Sequence, residues 1–418
     1  MKSAAPNMNR GLLENPPRPL PDLRAFRRDF GPRYALNGFI GLTFAATGPI
    51  AVVLSVGSQG GLSAAELASW VFAILFLNGL LTVLASWTYR QPLSFFWTIP
   101  GTVLVGPALA HLSWPEVVGA FLITGLLILV LGPTGWAGRL LAVVPMPIVM
   151  AMVAGAFLDF GLDLARSVVT DAFVAVPMVL AFLLLTWRSA LGSRIPPIIG
   201  ALLAGAAAVA LAGRLSLAPG DGWLAAPVPQ APVFSWQAVA ELVVPLAITV
   251  LVVQNAQGVA VLREAGHEPP TNAATTACGA WSVLSSLLGG ISTCLSGPTN
   301  ALLTASGERS RQYTAGIACG LLAMVAGLFA PALTRFMLGM PGAFIAALGG
   351  LAMLRVLQNS FVTAFSGRCA LGALVTFVVT VSGVQVLNLG SAFWGLVVGV
   401  GVSWLLERAD FPASRSAA

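Results

Sequence analysis

The chain has 418 residues, of which 57% are hydrophobic and only 9% charged, and its mean hydropathy is +0.89. That balance excludes a soluble domain of this size. The net charge of +6 does not mark a nucleic-acid binder, because the basic residues fall between apolar runs.

Residues 1–33 read as a polar, Pro-rich, basic tail with no cleavable secretory signal. Fourteen apolar segments follow, near 34–57, 65–88, 100–111, 115–134, 138–160, 171–187 and 195–213, then 237–262, 273–289, 298–307, 313–333, 339–356, 369–383 and 389–406. The expected fold is an all-α polytopic membrane protein. A Pro/Gly-rich connector, 214–236, separates a first repeat, 34–213, from a second, 237–407, and a short tail, 408–418, closes the chain. With the N-terminus inside, 18 of the 21 basic residues fall on the cytoplasmic side, leaving Arg166, Arg214 and Arg335 outside. Both ends are therefore expected in the cytoplasm of a cell whose plasma (inner) membrane the chain crosses fourteen times.

The third and tenth segments are too short and too broken for ordinary spans. Gly289 to Gly307 reads GGISTCLSGPTNALLTASG, a β-tolerant run, then Ser296-Gly297-Pro298-Thr299-Asn300, then a brief helical piece. Ser296 suits an N-cap and Pro298 the first helical turn. Phe95-Phe96-Trp97-Thr98-Ile99-Pro100-Gly101-Thr102 repeats the plan. Further matches are Pro147 with Pro341 and Gly155 with Gly349 at an offset of 194, Gly200 with Gly395 at 195, and Thr102 with Thr299 at 197. Seven segments per half is an odd number, so the halves must insert with opposite orientation as a 7+7 inverted repeat. Two half-helices would then face each other near the midplane, with N–H groups free for an anion. The alternative is a pair of Pro-kinked helices without a ligand.

Polar residues inside apolar segments mark the same region. Gln254 and Asn255 end an unbroken run, and they face either a cavity or another helix. Thr43, Thr47 and Gly48 before Pro49 form a small-residue face, and Phe44 offers an aromatic wall or plain packing. Asn37 and Asn78 read as packing amides. Asp159, Asp163, Glu116 and Glu241 lie toward outer segment ends within reach of water, and His111 and His267 sit at segment ends. Glu241 is thirteen residues from Gln254, roughly 20 Å along a helix, too far to touch a midplane substrate. The site thus holds amides, hydroxyls and helix ends without a carboxylate, which suits a negatively charged or strongly electron-rich substrate and not a cation. Cys278, Cys294, Cys319 and Cys369 lack metal spacing and read as buried thiols, and neither metal nor cofactor is expected. HExxH, GxSxG and paired haem-type histidines are absent, so an enzyme is not expected.

Gln254-Asn255 with GVAVLREAG, then GISTCLSGPTNALLTASGERSRQYTAGI and MPGAFIAALGGLAML, resembles the benzoate/proton symporter (BenE-type) family. The likeness runs from about Tyr34 to the last segment. That family is similar to the nucleobase–cation symporter and sulfate permease superfamily. The resemblance implies a core domain, 34–134 and 237–333, and a gate domain, 138–213 and 339–407. It implies uptake of benzoate with a proton by alternating access, and a homodimer through the gate domain, with a monomer as the alternative. The carboxylate is expected at backbone N–H groups near Gly101-Thr102 or Thr299-Asn300 and Gly297-Pro298, helped by Asn300, Gln254 or Asn255. The ring is expected against Phe44 and the gate helices containing Pro147 and Pro341, with Thr47 and Gly48 also counted among the substrate-binding residues. Asp159 is the candidate for proton coupling. Permeases for sulfate, bicarbonate, dicarboxylate or a nucleobase remain the alternatives. The tenth segment lacks the nucleobase branch's Glu, which argues against uracil or xanthine.

Overall fold

Two of the long helical segments are broken just ahead of a proline. In the computed structural model, which describes residues 13–134, 145–187, 196–216, 222–387 and 389–410, the first segment splits at Thr47 into Pro32–Ala46 and Gly48–Gln59. Pro49 lacks an N–H and crowds the preceding turn, which explains the break. The eleventh segment likewise splits into Tyr313–Leu328 and Ala330–Leu338, bent by 68° ahead of Pro331. Each of the fourteen apolar segments overlaps a helix or such a broken pair among the described residues. Six of these helices are long and apolar enough to cross a membrane, or seven if the bent pair is one span; the others are shorter. The fifth helix is Met146–Thr170, and the expected start of that segment at 138 lies outside the described residues, as do residues 1–12, 411–418, Arg139, Arg188 and Arg194. Leu180, Leu184, Val378 and Leu405 point outward from their helices, an apolar exterior suited to lipid.

Two groups of helices emerge from the packing. Trp114–Thr134 runs along Thr271–Ser286, and Tyr313–Leu328 packs on Asn78–Tyr89 and Pro32–Ala46. In the other group, Met146–Thr170 packs on Gly342–Ala364 and Ala370–Ser382, and Ala172–Trp187 on Pro197–Leu211. Small residues let the backbones approach: a Cβ on Gly125 would lie 2.8 Å from the Val283 nitrogen.

Between the helices of the first group lies a buried two-stranded ribbon. Strand β1, Phe95–Trp97, pairs antiparallel with β2, Thr293–Leu295, in the register Phe95 to Leu295 and Trp97 to Thr293. Thr98 N–H to the Ser292 carbonyl and Ser296 N–H to the Ser94 carbonyl, both 3.0 Å, extend it. Open strand edges survive away from water only if side chains satisfy them. Thr82 accepts from Phe95 N–H at 2.8 Å, Ser282 from Thr293 N–H at 2.9 Å, Asn255 from Leu295 N–H at 2.8 Å and Asn300 from Ser94 N–H at 2.9 Å. Asn78 accepts from the Thr293 hydroxyl at 2.7 Å, so it supports a strand as well as packing.

Each strand feeds a half-helix, Ile99–Ala108 after β1 and Gly297–Thr304 after β2. The caps match closely: Thr98 has φ −73° and ψ 108°, Ser296 φ −74° and ψ 109°. Thr98 corresponds to Ser296 and Pro100 to Pro298, an offset of 198 that shifts the sequence alignment of Thr102 with Thr299 by one residue, onto Asn300. Because the strands are antiparallel, the half-helices run to opposite ends of the molecule. The second leads to a polar end where Tyr313 donates to Asp29 at 3.0 Å and Arg90 lies 3.5 Å from the same carboxylate.

Candidate functional site

Capping decides which backbone donors remain at the two tips. Thr98 Oγ1 accepts from Gly101 N–H at 3.1 Å and donates to Thr249 Oγ1 at 3.0 Å. Ser296 Oγ accepts from Thr299 N–H at 3.4 Å and donates to Thr299 Oγ1 at 3.0 Å. Thr102 N–H and Asn300 N–H bond the carbonyls of Thr98 and Ser296, both at 3.0 Å. Pro100 and Pro298 carry no N–H. Among the described residues this leaves the N–H groups of Ile99 and Gly297, one per tip, without an acceptor. The expectation of donors at Gly101-Thr102 and Thr299-Asn300 is therefore corrected, since the caps and first turns already use them.

Both tips border one cavity of about 10 Å³, room for about one water. Its walls are Phe44, Ala45, Pro49, Phe96, Trp97, Ile99, Gln254, Ser296, Pro298 and Thr299, with no charged side chain among them. Gln254 is 7% exposed, and its amide has no hydrogen-bond partner among the described residues. The π-helical stretch Thr249–Asn255 carries it, a distortion common at functional sites. The indole N–H of Trp97 is also buried without a partner. Phe44 and Phe96 supply apolar walls.

Of the residues expected here, Phe44, Gln254, Pro298 and Thr299 line the cavity. Thr47 spends its hydroxyl on the Thr43 carbonyl at 2.8 Å, and a Cβ on Gly48 would collide with Ala352, so Gly48 serves helix packing. A Cβ on Gly297 would sit 2.5 Å from Gln257 Cγ, and one on Gly101 would crowd Leu246 at 2.8 Å. The Thr102 hydroxyl returns to the Thr98 carbonyl at 3.0 Å. The carbonyl oxygens of Asn255 and Asn300 hold the strands, and their side-chain nitrogens are buried without a partner. Phe96, Trp97 and Ser296 escaped the expected list, although the β-like run and the cap that carry them were visible.

A profile of the benzoate membrane transport protein family matches residues 28–405. The chain belongs to that family. This transporter is 28% identical over 393 residues to the benzoate membrane transport protein of Acinetobacter baylyi (strain ATCC 33305 / BD413 / ADP1), covering 92% of this chain and 98% of the relative. It is also 28% identical over 372 residues to the inner membrane protein YdcO of Escherichia coli (strain K12), covering 88% and 94%. Among solved structures, it is similar to the transmembrane domain of the cyanobacterial bicarbonate transporter BicA, with TM-score 0.60, 17% identity, and 89% and 99% of the two chains covered. The structure of SLC26A9 superposes with TM-score 0.63 at 14% identity over 92% of this chain and 67% of the other. These likenesses establish the shared fold.

The transporter has a larger cavity, about 330 Å³, between the two helix groups. Asp159, Asp163 and Glu241 line it together with Val103, Pro107, Gly155 and Thr380. Three carboxylates make it a poor seat for an anion, so size and chemistry point to different cavities, and the chemistry favours the smaller one. Asp159 is exposed at this larger cavity, away from the half-helix tips. Glu241, expected within reach of water, is 6% exposed and lies 2.9 Å from His111 Nε2. His267 is buried too, with Nε2 2.7 Å from Gln312 Oε1, and burial pushes its pKa below the ordinary histidine value.

Proposed function

We propose that the protein takes up benzoate or a similar aromatic carboxylate together with a proton, by alternating access in the inner membrane. One observation carries the substrate reading: two helix tips and the unpartnered Gln254 amide converge on an aromatic-walled cavity that lacks charged side chains. The carboxylate accepts from Ile99 N–H, Gly297 N–H, the Gln254 amide and the Trp97 indole, and the ring lies against Phe44 and Phe96. Helix dipoles and neutral donors hold the charge without a basic residue. Room for about one water is too little for a benzoate ring, so the helix groups must part to admit it.

The names of two relatives, a benzoate transport protein and an inner membrane protein, support this reading. The segments form a 7+7 inverted repeat of fourteen crossings with both termini cytoplasmic. Residues 34–134 and 237–333 act as a core moving against a gate of 138–213 and 339–407, through which two copies associate. The matched caps, the antiparallel strands and the two packing groups support that division. The aromatic walls favour benzoate over sulfate or bicarbonate. Competition tests this: unlabelled benzoate and ring-substituted benzoates displace labelled benzoate in proteoliposomes, and sulfate and bicarbonate do not. Displacement by the inorganic anions at equal concentration would overturn the aromatic reading.

A further inference from the structure

We infer that His111 and Glu241 form the site that carries the co-transported proton, an assignment that rests on the proton-coupled reading above and gives it residues. The side chains are 12% and 6% exposed, and His111 Nε2 lies 2.9 Å from Glu241 Oε2. His111 Nδ1 lies 2.9 Å from the side-chain amide nitrogen of Gln385. With that nitrogen donating to Nδ1, the ring proton sits on Nε2 and points at the carboxylate. A carboxylate this deeply buried needs a hydrogen-bond partner, and the His111 ring supplies one at 2.9 Å.

Position links the pair to transport. Glu241 lines the 330 Å³ cavity, which gives protons a route. Gln385 belongs to the loop joining Ala370–Ser382 to Ser391–Leu406, and a Cβ on Gly390 in that loop would collide with Glu241 Oε1. The pair therefore docks one helix group onto a loop of the other. Two rods connect it to the anion cavity. The half-helix Ile99–Ala108 starts at that cavity and ends just before His111, and Trp236–Glu264 carries both Glu241 and Gln254. Glu241 and Gln254 each sit in a π-helical stretch of that span, Val239–Val243 and Thr249–Asn255.

Proton uptake from the cavity converts imidazole and carboxylate, net −1, into imidazolium and carboxylate, net 0, and release to the other side restores the pair. The new N–H forms on Nδ1, where Gln385 now points a donor. The amide must turn its oxygen inward or let go, which loosens the contact between helix groups. One proton with one monoanion moves no net charge. Among the described residues the charged groups around the pair are Asp159 and Asp163, which line the cavity with Glu241, and Glu116, whose carboxylate accepts from Ser113 N–H at 2.9 Å; Arg166 pairs with Asp163 at 2.9 Å.

The test is labelled benzoate uptake into proteoliposomes with and without an inward proton gradient, read as a ratio. Wild type is expected to give a ratio of several-fold, Glu241→Gln and His111→Gln ratios near one, and Glu241→Asp and Asp159→Asn ratios well above one. Should Glu241→Gln elute as misfolded protein, His111→Gln carries the same prediction. Proton uptake on benzoate binding in weakly buffered detergent, followed with a pH indicator, gives a second readout that both variants abolish. A gradient-driven ratio retained in both variants overturns the site and leaves proton coupling standing. A ratio of one in wild type overturns proton coupling itself.

Discussion

The two half-helices share a cap and a proline but end in different chemistry. The first, Ile99–Ala108, leads to His111, which meets Glu241 and an open cavity. The second, Gly297–Thr304, ends under Gln312, whose amide donates to the Thr304 carbonyl at 3.0 Å and whose oxygen faces His267. Both far ends thus meet a histidine, and only the first pairs it with a carboxylate. The matched tips border the anion site proposed above, and the unmatched far ends differ in that only the first sets a carboxylate beside its histidine. The strands, by contrast, are supported alike: a hydroxyl and an amide, Thr82 and Asn300, serve the β1 side, and Ser282 and Asn255 serve β2.

The largest expected effect tests that support. Asn255→Leu leaves the buried Leu295 N–H without an acceptor and should cost about 1–3 kcal/mol, lowering the melting midpoint in detergent. Thr82→Val does the same to Phe95 N–H by a similar amount, and wild-type melting in either variant would remove that residue as a support. Next comes the anion site: Gln254→Ala should raise the benzoate Kd about tenfold, near 1.4 kcal/mol, with little change in melting. Equal affinity in calorimetry would detach Gln254 from the substrate. Loss of one cap, in Thr98→Ala or Ser296→Ala, should cost about 1 kcal/mol each in the same melting assay. A large difference between the two would break the equivalence of the tips. The smallest effect concerns the contact between His267 and Gln312. Burial holds the His267 pKa below its ordinary value, so the unfolded chain binds the proton more readily and the folded state loses stability as pH falls below that ordinary value. His267→Gln should flatten the decline of melting midpoint from pH 7 to pH 5, and an unchanged slope would reject this origin.

Much of this architecture was legible because proline, glycine and hydrophobic length are local signals. The breaks before Pro100 and Pro298, the cap at Ser296 and the apolar segments follow from residue types alone. The direction in which side chains spend their hydrogen bonds was not legible. Asn255 and Asn300 read as ligand amides, yet each oxygen accepts from a strand N–H that only the pairing of residues some 200 positions apart reveals. The free donors at Ile99 and Gly297 depend on caps using the next available N–H groups, which residue spacing implies only once both caps are in place. Glu241 looked accessible because it lies near a segment end, and the His111 contact that encloses it joins residues 130 positions apart.

The most direct measurement is a structure of the protein bound to 4-bromobenzoate, with the bromine located by its anomalous scattering. The expected result places the carboxylate within hydrogen-bond distance of Ile99 or Gly297 N–H and the Gln254 amide, with the bromine toward the aromatic walls. A ligand seated in the larger acidic cavity, or with its carboxylate on an arginine, would contradict anion binding by paired helix tips.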